Sequence, residues 1–188
     1  TLYSALEAQG KDDEAKQVLN DALQLSGSSG EDYYNRGMIY VDLQDYTNAT
    51  DMLNKSYDKG YKAALLGLGE VSYTQQDYDT ALTYYEKYFD EVDISSVDAS
   101  LAAKACNQYA AVLLAKGEYE TAAQACESGL TYNDRESDAA LSFNLIVSYE
   151  HLERWEDAYN TAKAYASKYP DDANGQKEYL FLQSRVTQ

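Results

Sequence analysis

The sequence predicts an all-α fold, an α-solenoid of about five helical hairpins closed by a last helix. Three observations predict it. A single proline, Pro170, interrupts 188 residues rich in Ala, Leu, Glu, Gln and Lys, which are good helix formers. A small residue recurs at Ala15, Ala49, Ala81, Ala122 and Ala158, with separations of 34, 32, 41 and 36 residues. Apolar residues flank each of these anchors at helical spacing.

The flanking pattern defines the unit. Three residues before the anchors stand Asp12, Tyr46, Tyr78, Tyr119 and Trp155, and four after them stand Leu19, Leu53, Tyr85, Cys126 and Ala162. Twelve before the last four anchors lie Gly37, Gly69, Ala110 and Ile146, with Tyr40, Ser72, Leu113 and Tyr149 three further on. Two apolar stripes at helical spacing, separated by a short turn, describe a helical hairpin. A small residue on each helix lets the axes approach, and the aromatic at the turn caps the crevice between them. One hairpin cannot cover its own apolar face, so stacking on neighbours supplies the missing core.

The elements follow in order. Residues 1–9 read as the remnant of a first helix, paired with 12–25; pairs follow at 31–43 and 46–59, 62–75 and 78–90, 98–116 and 119–131, and 137–152 and 155–168. A helix at 173–187 is expected to cover the open apolar end. The loop-rich connections are "SGSSG" at 26–30 and "DEVDISSVDAS" at 90–100. The second accounts for most of the 41-residue spacing, and its acids and lack of Gly predict an ordered connector or an early helix start. The chain opens at Thr1 inside the first predicted helix, so an upstream segment is expected.

This pattern resembles the tetratricopeptide repeat, whose period is 34 residues. Its best stretch is "FNLIVSYEHLERWEDAYNTAKAYASKYP" at 143–170, where Leu145, Tyr149, Trp155, Ala158, Tyr165 and Pro170 stand in the expected places and Ile146 replaces the usual small residue. "YYNRGMIYVDLQDYTNATDML" at 33–53 matches through Asn35, Gly37, Tyr40, Tyr46 and Ala49. The resemblance implies a right-handed solenoid in one domain, 1–188, with repeats at about 1–28, 30–61, 62–96, 97–134 and 137–170 and a capping helix at about 173–187.

Charge excludes some partners. With 32 acidic and 15 basic side chains the net charge is −17, so phosphate polymers and anionic membrane surfaces are repelled, and nucleic acid is not an expected partner. No apolar run approaches the roughly 20 residues that cross a bilayer, and no signal segment is present, so no direct membrane insertion by this segment is expected.

The sequence offers little chemistry. His151 is the only histidine, near the end of a predicted helix, where a solvent-facing or helix-end role outweighs a catalytic one. No His pair or Cys-x-x-Cys spacing points to a metal, and no cofactor motif is seen. "DDE" at 12–14 and "DD" at 171–172 lie at helix starts, where carboxylates complement the positive helix end. "GLG" at 67–69 lies inside a helix and indicates close packing rather than a phosphate cradle. The Asn-x-Ser/Thr triplets at Asn48 and Asn54 fall in a packed helix and read as chance matches.

Cys106 and Cys126 face each other across one predicted hairpin. Helix axes usually pack 8 to 10 Å apart, whereas a disulfide needs roughly 4.4 to 6.8 Å between Cα atoms. The small neighbours Ala102, Ala103, Ala110, Ala122 and Ala123 would permit that approach. Two states stay open: a disulfide, or two buried free thiols acting as small hydrophobes.

The resemblance also implies a site. Tyr40, Tyr46, Tyr78, Tyr85, Tyr119 and Tyr149 take packing positions. In similar repeat proteins the inner helices line a concave groove with their second, fifth, ninth, twelfth and thirteenth positions. Here these are Glu31, Tyr34, Met38, Val41 and Asp42, then Ala63, Leu66, Glu70, Tyr73 and Thr74. The next two repeats give Lys104, Asn107, Ala111, Leu114 and Ala115, then Ala140, Phe143, Val147, Glu150 and His151. The strip Tyr34, Met38, Leu66, Tyr73, Leu114 and Phe143, with Glu70, Asn107 and Val147 beside it, suits an apolar peptide or an amphipathic helix. The carboxylate clamp of some chaperone-binding members needs a basic set of groove residues, and only Lys104 is basic here, which disfavours that partner class.

The expected function is therefore a non-enzymatic scaffold that binds a protein or peptide. The alternative is an accessory or targeting segment of a longer enzyme or bacterial envelope protein. Few Lys and many Tyr, Asp and Ser fit an exported bacterial protein or lipoprotein somewhat better than an acidic cytoplasmic scaffold.

Overall fold

Turn chemistry sets where the helices begin and end. The computed structural model describes residues 2–25 and 27–186. The expected helix start at Thr1, part of the Ser26 linker and the far end of the last helix lie outside them. Among the described residues the chain is all-α: α1 (Leu2–Glu7), α2 (Asp12–Leu23), α3 (Gly30–Asp42), α4 (Tyr46–Asp58), α5 (Ala64–Thr74), α6 (Tyr78–Glu91), α7 (Ala99–Lys116), α8 (Tyr119–Leu130), α9 (Asp138–His151), α10 (Trp155–Lys168) and α11 (Ala173–Val186). These spans follow the predicted helices to within a few residues at each end.

One turn recurs in every hairpin. Two residues before the second helix starts, the backbone takes a left-handed conformation, at Gly10 (φ 68°), Gln44 (59°), Gln76 (62°), Gly117 (78°) and Glu153 (57°). The next residue's N–H then donates five residues back: Lys11 to Leu6, Asp45 to Tyr40, Asp77 to Ser72, Glu118 to Leu113 and Arg154 to Tyr149, at 2.8–3.0 Å. In the last four hairpins the left-handed residue's own N–H reaches back three, as Gln76 does to Tyr73 at 2.9 Å. This pair of bonds satisfies carbonyls that a helix end leaves without partners.

Caps sharpen other starts. Ser29 Oγ accepts from Asp32 N at 3.1 Å, while Asp32 Oδ2 accepts from Ser29 N at 2.9 Å, a reciprocal cap at the head of α3. Serine donation also lowers the pKa of Asp32. Asp45 and Asp98 accept from Asn48 N and Leu101 N in the same manner. In the acidic connector, Asp93 accepts from Ser95 N and starts the short 3-10 turn Ile94–Ser96, so this segment is ordered.

Residues divide into two compact units, Thr1–Glu91 and Val92–Gln188. In the first, α1 packs on α2, α3 on α4 and α5 on α6, and each hairpin meets the next through α2 with α3, α4 with α5 and α3 with α5. Ala49, Leu53, Leu68 and Val71 form its centre, with Tyr34, Met38, Tyr40, Val41, Tyr46 and Tyr84 packed around them. In the second, α7 pairs with α8 and α9 with α10, while α8 and α7 both meet α9. Ala102, Ala110, Val112, Leu113, Ala122, Cys126, Ile146 and Ala158 are buried there. α11 packs on α10, buries Leu182 and leaves Leu180 and Phe181 exposed. Anchors Ala49, Ala81, Ala122 and Ala158 are completely buried, which is why no larger residue stands at them.

Candidate functional site

In the first unit the predicted positions come from α3 and α5. Tyr34 is half-buried, its ring tilted against Tyr61 with centroids 5.2 Å apart. Burial, then the nearby Glu70 carboxylate and the phenols of Tyr61 and Tyr88, push the Tyr34 hydroxyl up to about 12, so it stays a neutral donor. Met38 sits where α3 approaches α5, its sulfur against Gly67. Leu66 is only 2% exposed and belongs to the core, which corrects its expected place on the open strip. The cause is local: Ala63 to Gly69 are buried without a break, because α5 is covered by α3, α4 and α6 together. Glu70 is half-buried beside Tyr34 and Tyr85, and burial with this same carboxylate shifts the Tyr85 hydroxyl strongly upward. Tyr73 is 38% exposed and leans on Tyr78 at 5.5 Å between centroids. It is the predicted strip residue with the most open aromatic surface in this unit.

The second unit places its candidates differently. Asn107 on α7 accepts from Asn144 Nδ2 on α9 at 3.0 Å, so its amide joins two helices. Leu114 and Val147 are half-buried. Phe143 is half-buried with its edge toward Tyr165 of α10, centroids 5.9 Å apart, so part of its surface is spent inside the hairpin. A cleft of about 450 Å³ in this unit is lined by Leu130, Asp138, Ser142, Leu145, Asn160, Thr161, Ala164, Tyr165 and Lys168, none of them a predicted strip residue. Lys168 and Tyr169 both bond Asp138 there, at 2.7 Å each.

The remaining candidates take structural roles. His151 is exposed and lies flat on the Tyr119 ring, centroids 4.0 Å apart and planes within 1°. Cys106 and Cys126 stand as free, buried thiols in this structure. Burial raises Cys106 to about 11, and burial with Cys106 and Glu127 nearby raises Cys126 to about 12, so neither forms a reactive thiolate. Thr50 and Ser56, which complete the two Asn-x-Ser/Thr triplets, bond their hydroxyls to the carbonyls of Tyr46 and Gly30. Among the described residues no group of three or more His, Cys, Asp or Glu is placed to hold a metal ion. Among them also, no helix is long and apolar enough to cross a membrane.

Sequence reasoning missed one feature. Glu150 on α9 meets Glu178 of α11, and burial followed by that second carboxylate raises Glu150 to about 7, against a smaller opposing pull from Arg185. Only the packing of α11 reveals it, since the two glutamates are far apart in sequence.

The same geometry recurs in known proteins. A family model described as tetratricopeptide repeat matches residues 34–93 and 110–173. Among solved structures the chain is similar to the APC/C hetero-tetramer Cut9–Hcn1, with a TM-score of 0.75 at 18% identity over 96% of this chain and 35% of that one. It therefore spans about a third of that relative's length. It is also similar to YrrB, described as a protein of this repeat type with an unusual peptide-binding site, with a TM-score of 0.63 at 21% identity over 93% of this chain and 87% of that one. A thermophilic protein of the same repeat type from Thermus thermophilus gives 0.62 at 17% identity over 97% and 95%. At these identities the likeness is one of fold. No curated protein matches the sequence.

Proposed function

This chain belongs to the tetratricopeptide repeat family, and on that premise we propose that it binds a peptide segment of a partner protein on the inner helices of its repeats. The fold of the family is that of a protein–protein interaction scaffold, and its members are typically non-catalytic. We infer that this chain likewise performs no chemistry of its own, binds no nucleic acid, and acts through residues 1–188 as one repeat domain.

The observation that carries the reading is the open aromatic surface on α5. Tyr73 keeps 38% of its surface exposed, on a helix that otherwise buries most of its side chains. A large ring left open, as Tyr73 is, offers contact area at little entropic cost, which is what a peptide anchor needs. Peptides selected from a random displayed library against the full chain test it. Tyr73→Ala is expected to weaken the selected peptides by about tenfold or more, in line with loss of an aromatic anchor. Equal binding by wild type and variant would move the site off this face.

A further inference from the structure

Among the described residues the buried serines are Ser56, Ser72, Ser142 and Ser148. Three of them donate their hydroxyls to main-chain carbonyls: Ser56 to Gly30 at 2.7 Å, Ser72 to Leu68 at 3.0 Å and Ser148 to Asn144 at 2.7 Å. Ser142 is the exception. It is only 9% exposed, and its hydroxyl has no hydrogen-bond partner among the described residues. A buried polar group left unpaired is costly and calls for an explanation. Ser142 lines the cleft of about 450 Å³ in the second unit, so a molecule held there would supply the partner.

The cleft has a closed polar end and an apolar floor. α9 lines it with Asp138, Ser142 and Leu145, and α10 lines it from Asn160 to Lys168, about 12 Å of helix. At one end Lys168 Nζ meets Asp138 Oδ1 at 2.7 Å, and the Tyr169 hydroxyl donates to Oδ2 at 2.7 Å. That bridge ties the first residue of α9 to the last of α10 and closes this end. Leu130, Leu145 and Tyr165 supply the floor. The Tyr165 hydroxyl is engaged with Asp172 at 2.6 Å, so Tyr165 offers its ring. Water would satisfy Ser142 but leave this floor wet, and an occupant with an apolar body relieves that. A cleft closed at one end suits a molecule that terminates there rather than a peptide that runs through.

Charge narrows the occupant further. Both oxygens of Asp138 are already bonded, so a cationic head would have to displace Lys168. An anionic head would meet Asp138 and a net charge of −17. A hydroxyl and an amide each donate and accept, so Ser142 and the exposed Asn160 at the rim match an uncharged head of the same kind.

We propose that this cleft binds an uncharged small molecule, with an aliphatic or aromatic body on Leu130, Leu145 and Tyr165 and an amide or hydroxyl head at Ser142. The site lies within the second unit and is independent of the peptide face on α5.

Phenylbutanamide, phenylbutyrate and phenylbutylamine test it, because they share one body and differ in the charge of the head. Each is titrated into the isotope-labelled full chain and followed by amide NMR shifts, in salt high enough to screen the net charge. The amide is expected to bind about fivefold more tightly than either charged analogue, with shifts centred on α9 and α10 and none on α5. Ser142→Ala should weaken the amide by about threefold to tenfold and leave the charged analogues within about twofold. Ala164→Trp, which fills the cleft from an exposed position on its lining, should abolish saturable binding.

No saturable binding by any of the three, or equal affinity for all of them, overturns the proposal. Shifts that centre away from α9 and α10, or binding that survives Ala164→Trp, place the ligand elsewhere and overturn it too. An amide indifferent to Ser142→Ala overturns the assignment of the head. Because the head-group series uses the unaltered protein, its result does not depend on any variant folding.

Discussion

The Tyr85 ring occupies the space a side chain on residue 69 would need. A β-carbon at Gly69 would lie 2.6 Å from Tyr85 Cζ and 2.7 Å from Cε1, and Tyr85 is itself only 1% exposed, so the ring has nowhere to retreat. This is the small-residue contact that lets α5 and α6 approach.

Gly69→Ala decides between two opposed effects. Helix propensity alone would raise stability by about 1 kcal/mol, whereas overpacking a filled core lowers it by about 1–3 kcal/mol. The expected outcome is a net loss, read as a lower urea midpoint at unchanged slope. A gain would show that α5 and α6 can spread at no cost.

The recurring left-handed turn gives a prediction of both signs. Gln76 is exposed and holds φ at 62°, a conformation that penalises a β-carbon. Gln76→Gly should stabilise the chain by about 0.5–1 kcal/mol after the extra freedom of glycine in the unfolded chain is counted. Gly117→Ala, at φ 78° where a β-carbon would make only ordinary contact with the Tyr119 ring at 3.8–3.9 Å, should destabilise by about 1 kcal/mol. Chemical denaturation of the pair checks this, and movement in the same direction would exclude turn strain as the cause.

Glu150 predicts a pH dependence. Its folded pKa lies above its unfolded value, so the folded chain holds a proton that the unfolded chain releases first. Stability attributable to this group is complete below about 4.5 and falls as pH rises toward about 7, where Glu150 and Glu178 repel. Glu150→Gln should therefore raise the melting temperature at pH 8 and change it little at pH 4.5. Equal shifts at both pH values would assign the effect to packing rather than charge.

Both cysteines should be unreactive in the folded chain. Cys106 and Cys126 are buried and their thiols are raised well above neutral pH, so an aromatic disulfide reagent is expected to react only slowly under native, non-reducing conditions. After denaturation without reductant it should count two thiols per chain. A count of zero would mean a bridge instead.

How much of this was legible in the sequence depended on which signal carried it. Helix pairs could be read because Ala49, Ala81, Ala122 and Ala158 repeat with apolar residues at fixed offsets, and each offset is a packing contact. The left-handed turns were visible only at Gly10 and Gly117; Gln44, Gln76 and Glu153 adopt the same backbone without a residue that announces it. In those three the Schellman bonds and the packed helices outweigh the local preference. The inner strip was partly legible. Tyr73 has open surface because it lies near the end of α5, while Leu66 sits where neighbouring helices close over it and Phe143 turns part of its ring to Tyr165. Which face of a helix its neighbours leave uncovered is a property of tertiary packing, so a positional rule locates a side chain only to the nearest face. The pairing of Glu150 with Glu178 needed the docking of α11 and left no local trace.

The bond from the residue after each left-handed turn to a carbonyl five residues back also bears on kinetics. Every hairpin closes on a helix it has just left, so native pairings join stretches that are near along the chain, and contact order is low. Loop-closure entropy is then a minor barrier, and structure can nucleate in any hairpin and propagate to its neighbours. A polypeptide of this kind is suited to acquiring its shape progressively as it is synthesised, and to losing it by fraying rather than by a single concerted collapse.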